Sequence, residues 1–163
     1  MAAENLKSGA ITNRDAIPSV KTTASAGNVR RAYGVVECAG GDAGSTYRFC
    51  SIPSNARGIR AFFASDDLGT GVTLNVGLYQ TTANGGAVVD ADFFASAIDV
   101  ATAAVGVTEI TYERDATRIA DAEKPLWEQL GLTKDPAIDY DVTAVSAGAA
   151  ATGTALVVVE YVL

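Results

Sequence analysis

Carboxylates and two thiols are the side chains of this chain with most chemical scope, and histidine is missing altogether. Without an imidazole there is no Ser-His-Asp or Cys-His arrangement, and the usual zinc sites go with it. A glycosidase needs only a pair of carboxylates, and seventeen acids lie in residues 32–163. They fall mainly at alternating strand positions or in loops, where solvent-facing charge is the ordinary explanation. Asp66–Asp67 in a Gly-bearing loop and Asp90-x-Asp92 are short oxygen clusters of the kind hard cations accept. Neither matches a twelve-residue EF loop, and acidic turns are commonly just turns. The glycine-rich stretches are not phosphate loops: no G-x-x-x-x-G-K-[ST] occurs, and GGDAG at 40–44 leads into a strand. The expectation is a chain with no catalytic residues, no metal and no cofactor.

Cys38 and Cys50 lie in neighbouring strand candidates. If the turn at Ala39–Gly44 pairs Cys38 with Ser45, Cys50 falls opposite Tyr33, five places from Cys38. A cross-strand disulfide is not expected in that register, and both read as buried free thiols. The opening MAAENLKSGAITNRD has no apolar core of a secretory signal. Folding in a reducing cytoplasm is the expectation.

The elements that would hold these groups are mostly strands. Arg30 to Cys38 begins the regular structure, and Ser45 to Ile52 alternates Tyr47, Phe49 and Ser51 on one face before Pro53 stops it. Ile59, Ala61 and Phe63 share a face of the next run. Val72 to Gln80 has the cleanest period of two, with Val72, Leu74, Val76 and Leu78 together. Asn84–Gly85 marks a turn. Asp90 to Val100 (DADFFASAIDV) reads as a short helix or an irregular excursion, with Asp92 as N-cap and Phe94 and Ile98 on one helical face. Val107 to Glu113 and Ala137 to Val145 are half-buried strands. Between them Ala122 to Leu132 suggests a helical turn beginning at Pro125 and closed by Gly131. Residues 144–163 hold a single charge, Glu160, but their first half is Ala, Gly, Ser and Thr. The strongly apolar part is too short for a bilayer core of roughly 30 Å, so a turn and a buried strand are expected there.

The whole is an all-β protein of seven or eight strands with one or two short helices in connections. A jelly-roll-like β-sandwich over residues 30–163 is the simplest architecture, and a small closed barrel the alternative. A length of 163 residues suits one such domain. Residues 1–29 show no sustained period, only isolated Leu6, Ile11, Ile17 and Val20. Such a segment cannot offset its own ordering entropy and reads as an extended arm, or as a tail with no role. An arm of this kind lies along a partner and drops single side chains into pockets.

Net charge is -7, unevenly spread. Residues 1–31 hold five basic residues against two acidic ones, whereas residues 32–163 hold seven against seventeen. An acidic body repels nucleic acid and has no basic stripe to neutralise phosphates. A basic arm can dock on an acidic surface. The low charged fraction, 19%, fits a body largely covered by partners, or a plain β-protein that solvates itself with Thr, Ser and Ala.

The order of pieces in the middle of the chain carries one further reading. IPSNARGIRAFFASDD, then VTLNVGLYQT, then GGAVVDADFFASAID resembles the decoration, or cement, proteins of tailed-bacteriophage heads. The likeness covers about fifty residues, and only the order of its pieces is distinctive. It implies a non-enzymatic virion structural protein on the capsid exterior, a homo-oligomer (dimer or trimer) that bridges major capsid protein subunits. It also implies assembly in the bacterial host cytoplasm, with neither nucleic acid nor membrane as a direct partner. Lys7, Arg14, Lys21, Arg30 and Arg31 are then the candidate capsid contacts. Two alternatives stand beside it. One is another phage structural component, such as a tail or head fibre. The other is a carbohydrate-binding sandwich using Tyr33, Tyr79 and Trp127 as stacking faces.

Overall fold

The structure is a computed structural model that describes residues 11–12, 15–18, 28–111 and 116–163, without the side chains of 116–118. Most of the expected arm, with Lys7, Arg14 and Lys21, lies outside the described residues, as does the end of the strand expected at 107–113.

Among the described residues eight strands form in the order β1 (Val29–Gly41), β2 (Thr46–Pro53), β3 (Arg57–Ser65), β4 (Thr73–Gln80), β5 (Val88–Asp99), β6 (Val105–Glu109), β7 (Asp139–Ala147) and β8 (Ala151–Val162). The connections between strands hold a short α-helix, α1 (Leu126–Gln129), and 3-10 turns at Thr82–Asn84 and Ala116–Asp121, and Ile11, Thr12 and Asp15 are also helical. Pro125 stands at the N-cap of α1, and the Gly131 N–H closes it onto the Glu128 carbonyl at 2.9 Å, as the sequence suggests.

Pairing follows one rule. β1 pairs with β8, β2 with β7, β3 with β6 and β4 with β5, all antiparallel, as in one long hairpin bent between β4 and β5. Rolling that hairpin up sets β3 against β8 and β4 against β7. The result is two four-stranded sheets, β1-β8-β3-β6 and β2-β7-β4-β5. That is a β-sandwich with jelly-roll winding.

The core lies between the sheets and comes from alternate residues. Ile59, Ala61 and Phe63 point inward from β3, Leu74, Val76 and Leu78 from β4, and Ala155, Val157 and Val159 from β8. Burial of each Leu or Val side chain stabilises by about 1.5–3 kcal/mol. Leu126 of α1 is fully buried and plugs one end of the sandwich beside Ala56.

Two local expectations need correcting. The turn after Cys38 is not a hairpin between β1 and β2, because those strands belong to different sheets. The glycines there let the chain turn the corner from one sheet to the other. Both cysteines are free, Cys38 buried and Cys50 half-buried. Burial and the nearby Asp141 carboxylate push the Cys50 thiol up to about 12.

The second correction is β5, a strand as far as Asp99 where the sequence reads as a short helix or an irregular excursion. It pairs with β4 through three irregularities of register. At these the pleat is lost, so Phe93, Phe94 and Ala95 are all buried in succession. The two rings meet edge to face, 4.9 Å between centroids at 83°. Irregular burial of that kind places Phe94 and Ile98 four apart without any helix. Asp92 lies within this strand and is not a helix N-cap; its N–H donates to Asp90 Oδ1 at 3.4 Å.

Candidate interaction surface

Outer faces of the two sheets differ sharply. On β2-β7-β4-β5 the outward face carries a polar cluster centred on Arg48, with Val88 and Val89 exposed at the start of β5. Arg48 donates to Asp141 Oδ2 at 2.6 Å, to the Gln80 carbonyl at 2.9 Å and to the Gly86 carbonyl at 3.3 Å. Its guanidinium also sits 5.8 Å from the Tyr79 ring centroid. Ser51 donates to the other Asp141 oxygen at 2.7 Å. The β5 backbone closes over Gly77, where an added Cβ would lie 2.1 Å from the Asp90 carbonyl oxygen.

The outer face of β1-β8-β3-β6 is apolar across its middle. Registers set Tyr33 beside Val158 and Phe62, and Val35 beside Leu156 and Ala64, in two transverse rows. Tyr33 is 68% exposed, Val35 62% and Val107 75%. Single exposed apolar residues are ordinary, but contiguous rows of them mark an interaction surface. Two shallow depressions open on this face. One is lined by Arg31, Phe62, Val107 and Val158, the other by Val35, Ala64, Ser65, Asp66, Thr154 and Leu156 among others.

Opposite charge brackets the apolar rows. At the end where β1 and β3 begin stand Arg30, Arg31, Arg57 and Arg60, with Glu160 and Glu109 among them. Arg31 pairs with Glu160 at 2.7 Å and Arg60 with Glu109 at 2.7 Å. The hydrogen bond from Arg60 holds the Glu109 carboxyl below its ordinary range, against a smaller opposing effect of burial. At the other end Glu37, Asp66 and Asp67 are exposed, and the strands contribute no lysine or arginine there. Glu37 accepts from the Thr154 hydroxyl at 2.7 Å and Asp66 from the Thr154 N–H at 3.1 Å.

Of the predicted contact residues, the structure describes Arg30 and Arg31, both exposed at the root of the arm. Arg31 already has a partner in Glu160, which the spacing in sequence could not reveal. Asp66 and Asp67 act as turn acceptors, Asp67 Oδ1 taking the Gly69 N–H at 2.9 Å. Asp90 and Asp92 lie in β5. Among the described residues no three His, Cys, Asp or Glu side chains gather where a metal could be held. Tyr33 is exposed, Trp127 half-buried, and Tyr79 is buried beneath Arg48, so the three do not form a stacking platform. The apolar rows themselves were missed from sequence. Their signal was Tyr33, Val35, Leu156 and Val158 at alternate positions in strands whose other face is also apolar.

No described helix is long and apolar enough to cross a membrane. No protein-family model matches the chain, and no curated protein matches it. Among solved structures, a chain of the "Cyanophage Pam1 capsid asymmetric unit" is similar at 24% identity, with a TM-score of 0.54. The match covers 84% of this chain and 86% of that one, so the two share a fold over nearly equal lengths.

Proposed function

We propose that this chain is a structural protein of a phage head, bound to the outside of the shell and bridging neighbouring major capsid protein subunits. The observation that carries this reading is the fold shared, over 84% of this chain, with a chain of a cyanophage capsid asymmetric unit. The likeness takes in most of both chains, 84% of this one and 86% of that one, and so is not confined to one corner of the sandwich. The ordered likeness of residues 52–99 to decoration proteins supports the same assignment independently.

The role is non-enzymatic. Binding falls to residues 1–29 as an arm, with Lys7, Arg14 and Lys21 along it and Arg30 and Arg31 at its root. The arm's positive charge suits an acidic shell surface, while the acidic body stays clear of nucleic acid. Assembly takes place in the host cytoplasm, and the bridging unit is a homo-oligomer. Deleting residues 2–29 and measuring occupancy on purified shells of the same phage tests the assignment. At least a tenfold loss of bound protein is expected, with the sandwich still folded by circular dichroism. Unchanged occupancy would refute docking by the arm, and absence of the full chain from shells would refute the assignment itself.

A further inference from the structure

The outer face of β1-β8-β3-β6 is self-complementary about one line. Gly34, Val157 and Phe63 lie in register across three strands. Take that row as a twofold axis in the plane of the face, perpendicular to the strands. Each strand then lies over its own copy, reversed end for end. Arg31 and Glu37 are equidistant from Gly34, so each meets the other's counterpart. Arg60 and Asp66 are equidistant from Phe63, with the same result.

The apolar rows exchange as well. Tyr33 comes over Val35 of the second copy, Val158 over Leu156, and the large Phe62 over the small Ala64. Ala64, Val35 and Leu156 line one of the depressions on the face. Bulky side chains of one row therefore enter the hollow of the other. The opposite arrangement, with the axis along the strands, would stack the acidic end on itself and bring Glu37 and Asp66 toward like charges.

We infer that two copies of this chain pair face to face through this sheet, strands antiparallel within the roughly 30° usual for packed sheets. The inference deepens the bridging role and rests on it only for its purpose. Val29, where the arm joins β1, is five residues from the axis. At about 3.3 Å per residue the two arms then leave the pair roughly 33 Å apart and in opposite directions. That geometry lets one dimer reach two shell subunits.

Strand spacing and rise give the face an area on the order of 400 Å² per copy, below the roughly 800 Å² per partner of a standard stable interface. Pairing in solution is therefore weak, with a dissociation constant of roughly micromolar or above. Sedimentation velocity of the full chain over a wide concentration range tests it without any shell. Wild type should move from monomer to dimer as concentration rises. Val35→Asp, at an exposed edge-strand position, should stay monomeric. Arg31→Glu and Glu37→Arg should each weaken the dimer about tenfold or more, and the double variant Arg31→Glu/Glu37→Arg should recover most of it. A monomer at every concentration, a trimer, or a dimer indifferent to these changes would overturn the inference. None of these outcomes depends on shell binding by the arm, so the two proposals fail separately.

Discussion

At Gly34 the backbone of β1 approaches that of β2 in the facing sheet. A Cβ built there lies 1.9 Å from the Phe49 carbonyl oxygen and 2.9 Å from its Cα. These are backbone atoms, so no rotamer change relieves the clash, and the strand itself must move. Gly34→Ala should therefore destabilise by at least about 1–3 kcal/mol, the usual range for overpacking. Equilibrium urea unfolding checks it, and a change within about 0.5 kcal/mol would show that β1 and β2 can part freely. The position was legible only as a glycine within a strand, which weakens a strand and marks either a bulge or a close approach. Which of the two holds depends on β2, which begins at Thr46 and lies in another sheet. Arg48 is similar: nothing in its neighbourhood announces that Asp141, on β7, lies 2.6 Å away.

At the scale of elements, α1 is tied to the sandwich by hydrogen bonds on both sides. Its Leu126 and Trp127 N–H groups donate to the Ala56 and Ser54 carbonyls at 2.8 and 2.9 Å. The Ser54 hydroxyl donates in turn to Asp135, which also accepts the Ala137 N–H at 2.8 Å. Those two bonds, the hydroxyl's first, hold the Asp135 carboxyl below its ordinary value. A carboxyl with a depressed folded-state pKa stabilises fully above its unfolded value, about 3.9. That contribution is lost as pH falls through the lower folded value. Asp135→Asn should therefore flatten the acid side of the stability curve below about pH 4, where wild type declines more steeply. Thermal melts from pH 5 to pH 2 decide it, and parallel curves would remove Asp135 from the acid response. The helix was readable because Pro125 and Gly131 bound it locally. β5 was not, because its bulges bury three residues in a row and erase the period of two that identifies a strand.

For the whole molecule, the class of fold was legible and the winding was not. Inward residues at Ile59, Ala61 and Phe63, or at Leu74, Val76 and Leu78, repeat within one strand and need no partner to be recognised. Pairing of β1 with β8 joins residues more than a hundred places apart, and no local pattern encodes it. The winding has a consequence for folding. β8 comes last in the sequence yet sits between β1 and β3, hydrogen-bonded to both. Long-range pairing of this kind makes folding slow, on the millisecond-to-second scale, and β1 has no sheet partner until β8 arrives. Removing residues 151–163 would strip β1 and β3 of those ladders and take Ala155, Val157 and Val159 from the core. The two valines at about 1.5–3 kcal/mol each, with the buried alanines and two ladders besides, rival the 5–15 kcal/mol that holds a typical domain together. The truncated chain should show no cooperative thermal transition by circular dichroism. A sharp transition near the full-length midpoint would mean that β2-β7-β4-β5 and β3 fold as a unit without the central strand.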